Sequence, residues 1–346
     1  MSVKFSHRQK LLTFRVLHVK IDSFEQAHRR CSIKTRSKCA QPGIQRISPL
    51  RRLLRSWQLY VLLAPTLIYL FLFNYVPMYG LQIAFRDFAI KKGISGSPWV
   101  GWKHFLFFFN SPQFGSLVSN TVKISLYSLL WGFPRPILLA LMINEVRFAK
   151  LKKVLQNITY APFFISTVVL VSMLNVFLAK SDGLINQFIS ALGGQNVDFL
   201  GKASYFRTIY IVSGIWQGMG WNSIIYIAAL SGVDLQLHEA AQIDGATRFQ
   251  RVIHINLPCI LPTAVMMFIL SCGSIMSVGY EKVYLMQNSL NLSVSEVIST
   301  YVYKTGLQKV QYSYTTAIGL FNNVINVVLL LIVNQVARKL SDTSLF

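Results

Sequence analysis

Six long apolar stretches separated by polar segments dominate the chain. They cover residues 58–78, 119–144, 160–179, 208–231, 259–280 and 314–336. A bilayer core about 30 Å thick is crossed by roughly 20 apolar residues in a helix. Because lipid offers no partner for an unpaired backbone amide, all six stretches are predicted to be transmembrane helices. The pattern therefore predicts an all-α polytopic membrane protein.

The distribution of Lys and Arg between these stretches predicts how the chain crosses the membrane. With a cytoplasmic N-terminus, the inner flanks (46–56, 145–158, 232–258 and 338–346) carry 12 Lys and Arg in 61 residues. The opposite loops (81–116, 180–207 and 281–313) carry 10 in 97 residues. Since basic residues concentrate in cytoplasmic flanks, both termini are predicted to be cytoplasmic.

Composition supports the membrane class and adds a basic arm. The chain is 53% hydrophobic and 13% charged, whereas soluble domains carry roughly 25% charged residues. Of its 34 Lys and Arg, 14 precede Trp57, so residues 1–56 are predicted to be a cytoplasmic arm that touches anionic lipid, with no nucleic-acid partner. The six-helix membrane domain is predicted to cover 57–340, followed by a short cytoplasmic tail at 341–346. The four cysteines have no metal-ligand spacing.

Two basic side chains interrupt the second apolar stretch. They are Lys123 and Arg135, the latter between Pro134 and Pro136. Charged residues within spans are candidates for function by default. Lys123 either reaches the outer surface or lines a substrate path. Arg135 either reaches toward Glu145 and lipid headgroups or lines a water-filled cavity, where it would meet anionic groups of a substrate. No span contains a carboxylate, which speaks against a proton-coupled carrier.

Amide and aromatic side chains recur at helical spacing in the fourth and sixth stretches. These further candidates for the substrate path are Trp216, Gln217, Trp221 and Asn222 in the fourth stretch and Asn322, Asn323 and Asn326 in the sixth. Such residues either join helices by hydrogen bonds or form a sugar path, in which aromatic faces stack on sugar rings and amides bind hydroxyls. The sequence leaves both interpretations open. It offers no nucleophile with a base beside it, so no catalytic residue is expected.

The polar segment between the fourth and fifth stretches has the pattern of two short helices. Asp234 is placed to cap the first, and Gly245 is placed to end it in a left-handed turn. The second is expected to stop at Pro258, just before the fifth stretch. The segment is therefore predicted to be an amphipathic bracket on the cytoplasmic side that a partner protein contacts.

The letters of this segment, EAAQIDGATRFQRVIHINLP (239–258), resemble the EAA loop of inner-membrane permeases of binding-protein-dependent ABC importers. The residues that match this motif are Glu239, Ala240, Ala241, Gly245, Leu257 and Pro258, and the resemblance implies that these, together with Asp244, contact the ATPase. The resemblance extends to IWQGMGWNSIIYIAALSGVDLQLHEAAQIDGA (215–246), WVGWKHF (99–105), DGLIN (182–186) and TAIGLFNNVIN (316–326). Together these segments are similar to the LplB-type permeases for oligo- and polysaccharides. We use "EAA loop" below for residues 233–258.

The resemblance implies a type I importer permease fold and a division of labour between chains. Two different permeases would form the pore, two ATPase subunits would seat the EAA loops, and a periplasmic binding protein would deliver the glycan. The chain has no phosphate-binding GxxxxGK[ST] motif, so ATP and Mg²⁺ would be bound by the ATPase. Arg135 departs from the small residue that the family has between these prolines, which favours an acidic glycan such as alginate.

Two other classes of function remain as alternatives. An ion-gradient-driven carrier or channel for small polar solutes would not need ATP, and coordination of Na⁺ by backbone carbonyls would leave no carboxylate signature. A membrane-embedded enzyme acting on glycans would need a carboxylate pair, which the spans lack.

Overall fold

The computed structural model of the chain describes residues 57–340, apart from the side chain of Leu340. Helices and the turns between them make up this part, and its one β-type pairing is the isolated antiparallel bridge between Arg86 and Trp99. The prediction of an all-α fold is confirmed. The chain divides into two compact units, of which the first ends at Phe71 and the second begins at Leu72. The predicted arm at 1–56 and tail at 341–346 lie outside the described residues.

The helices vary from one turn to eight. The α-helices are Trp57–Leu70, Val76–Met78, Gly93–Gly96, Lys103–Phe109, Phe114–Gly132, Pro134–Asn144, Ala149–Tyr160, Thr167–Phe177, Leu184–Ala191, Ala203–Ser231, Leu235–Ile243, Arg248–Arg251, Leu257–Cys272, Tyr280–Met286, Leu292–Ser295, Ile298–Tyr303 and Tyr312–Leu340. The 3₁₀ segments are Tyr79–Phe85 and Ala161–Phe164, and the π-helical segments are Phe71–Tyr75, Val252–Asn256 and Lys304–Gln308. We call Ala203–Ser231 the central helix.

Four helical segments of the described part are long and apolar enough to cross a membrane. They are Trp57–Phe85, Phe114–Asn144, Arg248–Cys272 and Tyr312–Lys339. A fifth crossing arises if the bent pair Ala149–Phe164 and Thr167–Phe177 forms one span. The central helix, with 29 residues, is long enough for a sixth, but polar side chains such as Gln217 and Asn222 make it less apolar. The count of six spans therefore stays a prediction.

The third apolar stretch is not the single helix that its composition predicts. The chain bends by 96° between Ala149–Phe164 and Thr167–Phe177. Pro162 lies in the 3₁₀ turn before the bend, where its missing N–H needs no partner. Ser166 then caps the new helix by accepting a hydrogen bond from Val169 N. The 11 residues that follow the bend are about 16 Å long, too short to cross a bilayer alone.

The central helix packs against the helices on either side of it. Toward its C-terminal end, Tyr226 and Leu230 form a buried cluster with Ala140, Ile260 and Ala264. Halfway along, Gly220 lies directly against the backbone of Thr159, where a Cβ atom would overlap the Thr159 carbonyl oxygen. Glycine is therefore required at this crossing, because any side chain would push the two helices apart.

The helix of the fifth apolar stretch ends earlier than predicted, at Cys272 and not near Tyr280. Residues 273–279 are not helical, and their backbone groups need other partners. Asn326 of the helix Tyr312–Leu340 supplies one, since its Oδ1 accepts from Met276 N at 2.9 Å, and its Nδ2 also donates to the side-chain Oγ of Ser277 at 2.8 Å. Hydropathy alone cannot detect this ending, because residues 273–279 (GSIMSVG) contain no charged side chain and resemble in composition a segment that crosses lipid.

Candidate functional site

The first half of the EAA loop has the local structure that its sequence predicts. Asp234 caps the helix Leu235–Ile243, with its Oδ1 accepting from Gln236 N at 2.9 Å. Gly245 has φ +78°, the left-handed conformation that glycine adopts without strain. Ala246 N donates to Ala241 O across this turn at 2.9 Å. The predicted cap and left-handed turn are both confirmed.

The second half of the EAA loop differs from the prediction. Pro258 was expected to end it, yet the helix continues from Arg248 through Cys272. A π-helical turn at Val252–Asn256 shifts the hydrogen-bond register before the proline, whose missing N–H then falls in the first turn of Leu257–Cys272. The loop and the membrane helix are therefore one continuous helix, with no joint at Pro258.

The EAA loop presents apolar side chains to the outside. Ile243 is 87% exposed and Phe249 is 73% exposed, and Leu235 and Leu237 are exposed as well. Within the described residues, no hydrogen bond or ion pair involves the carboxylate of Glu239. The outer surface of this loop is available for a partner.

The base of the EAA loop is tied to the neighbouring membrane helix. Asn256 is fully buried, and its Nδ2 donates to Glu145 Oε1 at 3.3 Å. Glu145 directly follows the helix Pro134–Asn144, and among the ion pairs of the described residues none joins it to Arg135. This bond fixes the position of the π-helical turn relative to the second apolar stretch.

A cavity of about 940 Å³, mostly apolar but with amide and hydroxyl groups in its wall, lies beside the central helix, and we call it the polar cavity. Three predicted path residues, Gln217, Trp221 and Asn222, line it. A second wall includes Ser125 and Ser128 of the second apolar stretch. A third includes Met267 and Ser271 of the helix Leu257–Cys272. The volume falls within the range of sites for organic ligands, and the hydroxyl, amide and aromatic groups are those that bind sugars.

Gln217 and Trp221 also support the bend in the third apolar stretch. Gln217 Nε2 donates to Ile165 O at 2.8 Å, which satisfies the carbonyl group at the break. The Trp221 ring stacks on Phe163 with 4.4 Å between ring centroids and 3° between planes. The helix-joining interpretation is therefore confirmed for Gln217, which also lines the cavity, and its place in a sugar path stays a prediction.

The remaining predicted path residues lie outside the lining of this cavity. Lys123 and Asn323 are exposed. Arg135 is half-buried, and its guanidinium lies over the Trp131 ring, 5.4 Å from the centroid. Trp216 lines a separate apolar cavity of about 600 Å³. A role for these four residues in a substrate path stays a prediction.

Of the other two asparagines, Asn326 is buried and Asn322 is half-buried. Asn326 makes the two bonds to Met276 and Ser277 described above, which is the helix-joining role. Asn322 has a buried Oδ1 without a hydrogen-bond partner among the described residues. Their placement in a sugar path also stays a prediction.

Sequence analysis missed Lys282, which lines the polar cavity. It belongs to the short helix Tyr280–Met286, in a segment predicted to be an outer loop. Its Nζ donates to Tyr210 O at 3.0 Å and lies 4.9 Å from the Tyr210 ring centroid. Burial lowers the pKa of Lys282 to about 8. No spacing pattern could have found it, since the early end of the preceding helix brings it to the cavity.

Comparisons with known proteins agree with the resemblance noted in the sequence. Residues 136–342 match the family described as binding-protein-dependent transport system inner membrane component. The chain is 43% identical to the protein LplB of Bacillus subtilis (strain 168), over 89% of this chain and 96% of that protein. It is also 43% identical to the polygalacturonan/rhamnogalacturonan transport system permease protein YteP of the same strain, over 85% and 92%.

Solved structures give the same assignment. A chain from a bacterial ABC transporter involved in the import of the acidic polysaccharide alginate superposes with a TM-score of 0.78 at 42% identity, covering 84% of this chain and 99% of that chain. A chain from a bacterial alginate ABC transporter, in complex with a periplasmic protein that holds an alginate pentasaccharide, gives 0.79 at 41% identity, over 86% and 99%. The predicted importer permease fold is confirmed. The chain belongs to the inner-membrane permease components of binding-protein-dependent transport systems.

Proposed function

We propose that this chain is one of two different permease subunits of an ATP-driven importer for an oligo- or polysaccharide, acidic as alginate is. A periplasmic binding protein delivers the glycan, and two ATPase subunits bind ATP and Mg²⁺ and hydrolyse the nucleotide. This chain carries out no catalysis. Both termini lie in the cytoplasm, with residues 1–56 as a basic arm and 341–346 as a short tail. Its similarity to the alginate importer chains supports the substrate class.

The observation that carries the proposal is that one continuous helix connects the EAA loop with the polar cavity. The helix runs from Arg248 to Cys272, and its residues Met267 and Ser271 line the cavity. The central helix lines the same cavity and enters the EAA loop through Gly232 and Val233. Movement of the loop therefore moves two walls of the cavity.

The residues proposed for ATPase contact are those of the EAA motif. They are Glu239, Ala240, Ala241, Asp244, Gly245, Leu257 and Pro258. The exposed apolar side chains Ile243 and Phe249 support this proposal, since exposed apolar patches mark surfaces for partners. When the ATPase dimer closes, contacts that differ between the two states would shift the permease from inward-facing to outward-facing.

The proposal is tested by transport in vesicles. The complex of this chain with its partner permease and ATPase is reconstituted, with ATP inside the vesicles and the binding protein with labelled alginate pentasaccharide outside. We expect uptake only when both ATP and the binding protein are present, and a non-hydrolysable ATP analogue serves as the control. Uptake by this chain on a Na⁺ or proton gradient without ATP would instead establish the carrier alternative.

A further inference from the structure

Among the described residues that line the polar cavity, Lys282 is the one with a charged side chain. The other lining residues have apolar, amide or hydroxyl side chains or are glycines. Its ammonium lies against the central helix, above Gly214, where an added Cβ would be 3.2 Å from Nζ. The absence of a side chain at Gly214 gives the ammonium access to Tyr210 O. The charge is therefore held at a defined point of the cavity wall.

No carboxylate in the described part of the chain neutralises this charge. The ion pairs of that part are formed by Asp87 with Lys103 and His104 and by Glu296 with Lys304. Lys282 is half-buried, and a lysine withdrawn from water without a carboxylate partner is uncommon, because desolvation of its charge is costly. The ammonium has three donors, and the structure uses one of them, toward Tyr210 O. Two donors remain for a group that enters the cavity.

The residues around Lys282 form a stripe that an extended sugar chain would follow. Tyr210, Gly214, Gln217 and Trp221 follow one another at intervals of four, three and four residues, so they share one face of the central helix. From Gly214 to Trp221 this face is roughly 10 Å long at 1.5 Å per residue. The stripe therefore has a cation at one end and an aromatic ring at the other.

We propose that Lys282 selects acidic glycans by binding a sugar carboxylate inside the polar cavity, an inference that rests on the proposed function. The carboxylate replaces water at the two free ammonium donors, and the sugar ring continues along the stripe toward Trp221. In the predicted orientation Lys282 lies in the outer half of the cavity, where a glycan from the binding protein enters. Lys282 thus takes the charge-binding role that the sequence suggested for Arg135.

Uptake by the reconstituted complex tests this inference with two probes of equal length. One is the alginate pentasaccharide, and the other is the same oligosaccharide with its carboxyl groups reduced to alcohols. We expect Lys282→Gln to lower uptake of the acidic probe about ten- to a hundredfold, as the loss of a charged hydrogen bond does. Uptake of the reduced probe should change less than about twofold. Lys282→Arg, which keeps the charge, should retain most of the acidic uptake.

The pH dependence of uptake is a second measurement, which a purely structural role of Lys282 would not produce. Because the pKa of Lys282 is lowered to about 8, its positive charge is present below pH 8 and lost above it, whereas sugar carboxylates stay ionised throughout. Wild-type uptake of the acidic probe should fall as pH rises from 7 to 9. The Lys282→Arg variant should keep a flat profile, since arginine stays protonated.

The neighbouring titratable groups do not obscure this window. The helices packed nearby contribute the phenols of Tyr210, Tyr301 and Tyr303, which wild type and Lys282→Arg have in common. Glu281 on the same helix is exposed, and Lys304, which contacts Tyr284, is paired with Glu296. Differences between wild type and Lys282→Arg therefore report Lys282.

The outcomes separate the two proposals. Equal loss of both probes in Lys282→Gln, no loss of either, or identical pH profiles for wild type and Lys282→Arg would overturn the role of Lys282. Where wild type imports too little of the reduced probe to measure, the pH profiles decide. Absence of ATP-dependent uptake of any probe by wild type would overturn the proposed function itself.

Discussion

At the scale of single residues, Gly220 determines how closely two helices approach. A Cβ atom there would overlap Thr159 O, whereas a Cβ at Gly218 on the same helix would meet Asn222 Nδ2 at an ordinary 3.5 Å. We expect Gly220→Ala to destabilise the protein by about 1–3 kcal/mol, as overpacking does. Its thermal midpoint in detergent should fall by several degrees.

Gly218→Ala is the matched control for this prediction. It adds the same methyl group two residues away, and it should leave the midpoint unchanged or raise it slightly, because alanine restricts the unfolded chain. Equal midpoints for the two variants would contradict the close crossing of the helices.

Sequence reasoning found part of the cavity at this scale. The i, i+4 spacing of Gln217 and Trp221 identified a polar face, because helical periodicity is a local property. It could not find Lys282, since that residue reaches the cavity through the early end of the helix Leu257–Cys272 and the short helix Tyr280–Met286, whose positions depend on contacts distant in sequence. Arg135 is an informative contrast: its charge is conspicuous in the sequence, yet the structure places its guanidinium over Trp131.

At the scale of elements, the turn of the EAA loop depends on one backbone conformation. Gly245 has φ +78°, and the space around its Cα is open. A valine there would be strained by roughly 1–2 kcal/mol, because in the left-handed backbone its Cβ lies too close to the following carbonyl oxygen, although no other residue is near an added Cβ. We expect Gly245→Val to reduce the coupling of ATP hydrolysis to glycan uptake, measured as the ratio of the two rates, while the chain still inserts and assembles.

Gly245→Asn gives the control, since asparagine tolerates left-handed conformations. This variant should retain most of the coupling. Full coupling in Gly245→Val would refute the requirement for the left-handed turn. Equal uncoupling in both variants would mean that any side chain at position 245 disturbs coupling, whatever its backbone preference.

The ends of elements were harder to predict than their existence. The Asp234 cap and the Gly245 turn follow from local chemistry, and both were predicted correctly. The passage of the helix through Pro258 and the 96° bend near Ile165 were not. In both cases the backbone departs from regular α-helix close to a proline, with a π-helical turn before Pro258 and a hydrogen bond from Gln217 to Ile165 O at the bend after Pro162. Hydropathy carries no information on such arrangements.

At the scale of the whole molecule, the bent pair of helices leaves the number of crossings to be tested. If Ala149–Phe164 and Thr167–Phe177 together form one span, Lys150 and Lys180 lie on opposite sides of the membrane. Both side chains are exposed, so each position can be changed to cysteine in a chain whose native cysteines are replaced. We expect Lys180→Cys to react with a membrane-impermeant maleimide from the periplasmic side.

Lys150→Cys should react only after the membrane is permeabilised. Labelling of both positions from one side would mean that the pair is re-entrant, which would also place the two termini on opposite sides. The distribution of Lys and Arg supports one span, because basic residues concentrate between 145 and 158.

The continuous helix from Arg248 to Cys272 has a consequence for energy use by the transporter. With 25 residues it is roughly 37 Å long, about the thickness of the membrane it crosses. No loop interrupts it, so a displacement of its first turn in the EAA loop reaches Ser271 through helical backbone, in which the π-helical turn at Val252–Asn256 and Pro262 are the points where the helix can bend. Export of the glycan back to the periplasm would then require the same displacement in reverse, against the nucleotide cycle.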